Sequence, residues 1–201
     1  MKEFPTVISF FTKGTPYEKE VTRLVDSCKS FGVPLEIEGI ESFGSWELNC
    51  AFKPFFILKK LDELKKPVLW VDADGAFVNF PRWIDAFDAD FSTRIHPNLA
   101  NGHPSKVISS TIFVRPNSQG VQLVRLWAME CQKQLLDSDQ TEEFWDQIAL
   151  RDVLFSTAHQ AIVHPLPLAY AKIFDHPHDL LEVSNPIIEH YQASRKFKNL
   201  V

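Results

Sequence analysis

The sequence predicts an α/β protein with a central, mostly parallel sheet flanked by helices. Three observations predict it. Short apolar runs alternate with helix-period segments from the N-terminus onward, which is the order of βαβ units. The run Val68-Leu69-Trp70-Val71 contains no polar residue, as a strand covered on both faces requires. Caps, prolines and glycines fall where the alternation needs helices to begin and end.

Val7-Ile8-Ser9-Phe10-Phe11 is the first apolar run. Thr15, Pro16 and Glu18 then supply an N-cap, a first-turn proline and a capping-box acid, so a helix starts there. Tyr17, Val21, Leu24, Val25, Cys28 and Phe31 share one helical face, and Gly32 with Pro34 gives the stop. Leu35-Glu36-Ile37-Glu38 alternates as a short strand. Residues 45–64 are helical again, with Pro54 either kinking the helix or opening a fresh first turn, and Lys65-Lys66 before Pro67 ends it. After the apolar strand come Asp72-Ala73-Asp74, then a looser stretch through Phe80-Pro81-Arg82-Trp83 and the acid-rich residues 85–90. Residues 106–114 read as a strand, 121–136 and 144–155 as helices, and 161–164 as a late strand.

At 201 residues the chain is long enough for a substantial core, and one domain is the default. A formal charge of -5 argues against a general nucleic-acid binder, whose phosphate contacts call for a basic face. Met1-Lys2-Glu3-Phe4-Pro5 leads only into a short apolar run, unlike a secretory signal, and no stretch is long enough to span a bilayer. Cys28, Cys50 and Cys131 are far apart and odd in number, so they read as buried thiols in a reducing cytoplasm.

In an open α/β sheet, ligands bind beyond the carboxyl ends of the strands, which is where Asp72 and Asp74 would stand. Two carboxylates two residues apart can, after a turn, meet one hard divalent cation that also bridges substrate phosphates. A polar turn after a strand is an equal reading of the triplet taken alone. Asp175-His176-Pro177-His178-Asp179 offers four potential ligands in five residues, yet suits a surface turn better.

The order of several pieces resembles the glycosyltransferases of the nucleotide-diphospho-sugar, or GT-A, fold. The pieces are Phe11-Thr12, Trp46 through Lys53-Pro54, residues 68–74, Ser110-Thr111-Ile112-Phe113, Trp127, Asp146-Gln147 and His190-Tyr191-Gln192-Ala193-Ser194-Arg195. The resemblance implies a Rossmann-like GT-A fold over residues 1–201, with a nucleotide-binding part at about 1–80 and an acceptor- and metal-closing part at about 81–201. It implies that Thr12 lies near the base or ribose, that Lys53 approaches the nucleotide or phosphates, and that Asp72 lies near ribose and metal. Asp74 would ligate the metal directly, with His190 as the third ligand. An imidazole beside two carboxylates suits manganese, which is expected before magnesium. Arg195, Lys196 and Lys198 form a basic cluster able to hold diphosphate oxygens, although a solvated basic tail is the blander reading.

The implied reaction moves a sugar from a nucleotide-diphosphate donor, UDP-linked by expectation, to a glycan, lipid or small hydroxyl acceptor. Asp146 could serve as base or as stabiliser of a cation-like sugar. An acid in the first turns of a helix beginning at Thr141-Glu142-Glu143 also has a purely dipolar reason to be there. Gln147 could bind sugar hydroxyls, and Ser110 and Thr111 sugar or acceptor. Two rivals differ in class. A haloacid-dehalogenase-type phosphatase would place its acids near the N-terminus with Thr or Val at the position of Ala76. A non-catalytic nucleotide-sugar or protein-binding module on the same fold would lack metal affinity.

Overall fold

The computed structural model describes residues 3–137 and 145–200. Strand β1 (Thr6–Thr12) leads into α1 (Tyr17–Phe31), β2 (Leu35–Ile40), α2 (Trp46–Ala51), α3 (Lys53–Leu64) and β3 (Val68–Val71). After β3 come β4 (Gly75–Phe77), β5 (Phe91–Ile95), β6 (Val107–Val114), α4 (Ser118–Asp137) and α5 (Asp146–Leu154). The chain closes with β7 (Val163–Pro165), β8 (Lys172–Ile173), α6 (Pro177–Glu182), β9 (Ile188–His190) and α7 (Ser194–Phe197).

The expected local signals act with small differences. Thr15 Oγ1 accepts from Tyr17 N–H at 3.3 Å, while the Glu18 carboxylate takes the N–H of Gly14, one residue earlier than a regular capping box would use. Gly32 closes α1 in the left-handed conformation at φ 64°, which a residue without Cβ adopts at no steric cost. Pro54 opens a fresh turn: α2 ends at Ala51 and α3 begins at Lys53. The late strand starts at Val163 rather than 161. The helix start expected at Thr141-Glu142-Glu143 lies outside the described residues, and the described helix begins at Asp146.

The main sheet has the order β2-β1-β3-β6-β5-β7. The pairs β2/β1, β1/β3 and β5/β7 are parallel, and β6 is antiparallel to both β3 and β5, so β6 alone runs against the other five. All four residues of β3 are buried, on alternating faces: Val68 and Trp70 join one core with residues of α3, α4 and α5, while Leu69 and Val71 join a second core with residues of α1. That double coverage is why the run could be wholly apolar. Because the chain leaves β1 toward β2 and returns to β3 on its other side, the strand order reverses between β1 and β3. Their carboxyl ends therefore frame the crevice where such sheets take ligands.

A second sheet, β4-β9-β8, joins the C-terminal segment to the loop after β3. Its register sets Gly75 opposite His190. A Cβ on Gly75 would come within 2.5 Å of Val71 Cγ1 and 3.2 Å of His190 Cε1, so the turn after the acids can pass this close only as glycine.

The C-terminal half is locked to the sheet by a buried ion pair. Arg94 of β5 donates to both carboxylate oxygens of Asp179 at 2.6 Å each and to the Ala171 carbonyl at 2.9 Å. Asp179 also accepts from Ile173 N–H at 2.8 Å, so Asp179 of the His-rich segment is a structural partner. Half-buried His96 stands nearby, its pKa lowered to about 4 because burial and the charge of Arg94 outweigh the pull of Asp179, with smaller lowering contributions from His178 and His176. The unfolded imidazole takes its proton near 6.5 and the folded one only near 4. Between those values the unfolded state binds more protons, so stability falls as pH drops through that window. Urea midpoints measured between pH 4 and 7 should show this slope, and His96→Phe should flatten it.

Candidate functional site

A cleft of about 470 Å³ opens over the carboxyl ends of β1 and β3 and the start of β6. Its lining includes Thr12, Lys53, Asp72, Asp74, Ser110, Asp146, Gln147, Arg195 and Lys198. Residues from positions 12 to 198 thus meet at the strand-order reversal. Lys196 is exposed and does not line the cleft; Thr111 and His190 are fully buried behind its wall.

Asp72-Ala73-Asp74-Gly75 is indeed a turn, with Gly75 N–H donating to the Asp72 carbonyl at 2.8 Å. The two readings of the triplet are therefore compatible. The C-terminal segment then closes on Asp74: Tyr191 N–H donates to its carbonyl at 3.2 Å and Ala193 N–H to its Oδ2 at 2.7 Å. His190 Nδ1 lies 3.7 Å from Asp74 Oδ1, and His190 Nε2 is 2.7 Å from Thr111 Oγ1. Burial disfavours charge on Asp74, but the His190 interaction, the Ala193 N–H and the Lys53 ammonium outweigh it and hold its carboxyl below the usual range.

These contacts permit a test of the metal expectation. His190 Nδ1 is sealed from solvent and has no hydrogen-bond partner. Two settings of the ring fit this geometry: a proton on Nδ1 facing Asp74 with Nε2 accepting from Thr111, or a proton on Nε2 donated to Thr111 with Nδ1 and Asp74 left to share a cation. In the second setting Asp74 and His190 fit a divalent ion. Asp72 is differently engaged: its Oδ1 accepts from Trp70 Nε1 at 2.7 Å and pairs with Lys53 Nζ at 3.0 Å. Among the described residues no three His, Cys, Asp or Glu side chains form a finished ligand group. Burial raises the Asp72 carboxyl, with Lys53 opposing and Asp74 adding to the rise.

Lys53 is the most enclosed charge here. Its Nζ lies 3.0 Å from Asp72 Oδ1, 3.0 Å from Asp146 Oδ2, and 3.3 Å from both Ser109 O and Ser109 Oγ. Burial works against the ammonium, but the charges of Asp146 and Asp72 prevail and raise its pKa. Asp146 is the first residue of α5, and its carbonyl accepts from Trp127 Nε1 at 2.9 Å, which anchors that end of the helix. Gln147 Nε2 donates to Pro104 O at 3.2 Å. Ser110 Oγ is buried without a partner in the cleft wall. Arg195 reaches the cleft but pairs with Asp175 at 2.6 Å.

Tyr17, Ser109 and Trp145 also line the cleft without a sequence signal for it, and Trp46, Asn49 and Gln192 line it from within the resembling pieces, where no site role was assigned to them. Gln192 carries a positive φ of 55°, and no local sequence signal announces that conformation. Cys28 and Cys131 are buried free thiols as expected, whereas Cys50 is half-buried and lines the cleft. No helix among the described residues is long and apolar enough to cross a membrane.

The fold matches those of solved glycosyltransferases. One solved structure, a glycosyltransferase involved in the glycosylation of the major capsid of PBCV-1, superposes with a TM-score of 0.66 at 12% identity over 94% of this chain and 93% of that one. A second, the apo form of glycosyltransferase GlyE from Streptococcus pneumoniae TIGR4, gives 0.58 at 12% identity over 94% of this chain and 55% of that one. The chain thus spans about half of GlyE. No family model matches the chain, and no curated protein matches it by sequence. The likeness defines a glycosyltransferase fold.

Proposed function

We propose that this chain is a glycosyltransferase that moves a sugar from a nucleotide-diphosphate donor, UDP-linked, to a hydroxyl of a glycan, lipid or small acceptor in a reducing, cytoplasmic setting. The observation that carries this reading is the pairing of Gly75 with His190, which brings a buried, unpartnered imidazole nitrogen to 3.7 Å from Asp74, a carboxylate that lines the cleft. Asp74 and His190 would hold a divalent ion, manganese before magnesium, with Asp72 contributing beside them. Such an ion neutralises a diphosphate as it leaves. The protein's own groups do the remainder. Thr12 and its neighbours at the end of β1 receive the nucleoside, and the Ser110 hydroxyl is free to take a hydrogen bond from the sugar. Asp146 presents a carboxylate to the side of the sugar that reacts. Arg195 and Lys198 stand where diphosphate oxygens would arrive.

Calorimetric titration of UDP and GDP with and without manganese, on the wild type and on Asp74→Ala, tests the reading. We expect binding that requires the metal and is lost in the variant. Metal-independent binding that survives Asp74→Ala would overturn it, and phosphate release from simple phosphomonoesters would point to the phosphatase instead. Chelation should likewise abolish nucleotide binding while leaving the far-ultraviolet circular dichroism unchanged.

A further inference from the structure

The resemblance implies that Lys53 approaches the nucleotide or phosphates, but its surroundings leave it few free donors for a phosphate. An ammonium has three N–H donors, and the carboxylates of Asp72 and Asp146 and the Ser109 oxygens already crowd this one at 3.0 to 3.3 Å. The side chain is 7% exposed. The residues it touches belong to three different elements: Asp72 follows β3, Asp146 begins α5, and Ser109 lies in β6. Two carboxylates on one side of a cleft would otherwise repel each other and spread. One buried cation fixes both.

We propose that Lys53 is a positioning residue that ties the metal-side carboxylate Asp72 to the sugar-side carboxylate Asp146, and so sets the register between a bound diphosphate and the sugar that is transferred. This rests on the glycosyltransferase reading. A phosphate ligand loses affinity when removed; a spacer between two functional groups loses rate. Misplacing a reacting group by about 1 Å can cost on the order of a hundredfold. The Trp70 ring, 5.5 Å from the ammonium and hydrogen-bonded to Asp72, completes the brace.

The test compares the wild type with Lys53→Met, Asp146→Asn and the double variant. Manganese-dependent binding of UDP and of uridine is measured by calorimetry. Donor hydrolysis is followed as UDP released from UDP-glucose, UDP-galactose and UDP-N-acetylglucosamine, water taking the sugar at C1 as the bond to the diphosphate oxygen breaks. We expect Lys53→Met to bind UDP within about threefold of the wild type and to hydrolyse donor about a hundredfold more slowly with little change in KM. The double variant should be no slower than Asp146→Asn alone, because Lys53 acts through that carboxylate. Should Lys53→Met fail to fold, the double variant removes the cation with one of its partners, and its rate against Asp146→Asn still decides. A tenfold loss of UDP affinity with uridine binding unchanged would make Lys53 a phosphate ligand and overturn the proposal. So would a lowered Tm with unaltered kcat, or additive losses in the double variant. Failure of the wild type to bind UDP or GDP strikes the glycosyltransferase reading itself, and this proposal falls with it.

Discussion

Asp179→Ala should cost about 3 to 5 kcal/mol of stability, the price of leaving a buried guanidinium without its counter-charge. Arg94 and Asp179 are almost wholly buried and share two 2.6 Å bonds; Asp179 also accepts from the Ile173 N–H, and its Oδ1 lies 3.2 Å from His176 Nδ1 and 3.7 Å from His178 Nδ1. Burial alone would raise the Asp179 carboxyl, but the Arg94 bonds, the Ile173 N–H and the Arg94 charge hold it below the usual range. Removing it strands Arg94 beside the Ala171 carbonyl with nothing to balance its charge. A typical domain is stable by only about 5 to 15 kcal/mol, so the variant should melt well below the wild type. The companion measurement is Arg94→Met/Asp179→Leu, which removes both charges and should recover most of the loss. If the double variant is no better than Asp179→Ala, the pair is not what holds α6 to β5.

The second large effect is expected at His190. His190→Ala should weaken manganese-dependent UDP binding by at least about a hundredfold, or roughly 2.7 kcal/mol, with uridine alone unaffected. Thr111→Val should weaken it less, by about ten- to a hundredfold, because it removes the hydrogen bond that orients the ring and leaves the nitrogen in place. Both side chains are fully buried, so a thermal melt accompanies each titration. If His190→Ala binds UDP with wild-type affinity and unchanged metal dependence, His190 is a core residue and the ligand set is wrong.

What the sequence displayed was the part governed by local rules. Gly32 stopped α1 through a left-handed φ, Pro54 opened α3, and Val68-Leu69-Trp70-Val71 could only be a strand with two buried faces. The carboxylates at the end of that strand followed directly. His190 was legible only through family resemblance, because its place depends on the β4/β9 register between segments more than 100 residues apart. Lys53 lines the cleft, but its protein partner Asp146 comes from α5, and spacing along the chain says nothing of that. Asp179 misled in the opposite sense. Directly after His176-Pro177-His178 it read as part of a surface turn, and the arginine that pairs with it lies 85 positions earlier. The lone antiparallel strand was also hidden, since an apolar run has the same composition in either direction.

The closure of Asp74 by Tyr191 and Ala193 has a consequence for how the protein is made. The contact between Asp74 and Ala193 spans 119 positions, and the one between Thr111 and His190 spans 79. Contacts of such long range form late, after shorter loops have closed. On the ribosome, the sheet can assemble while the acidic turn still lacks its imidazole, and synthesis must pass residue 193 before the turn is capped. The nascent chain can thus hold a folded sheet before residues 190–193 arrive to close over the acidic turn.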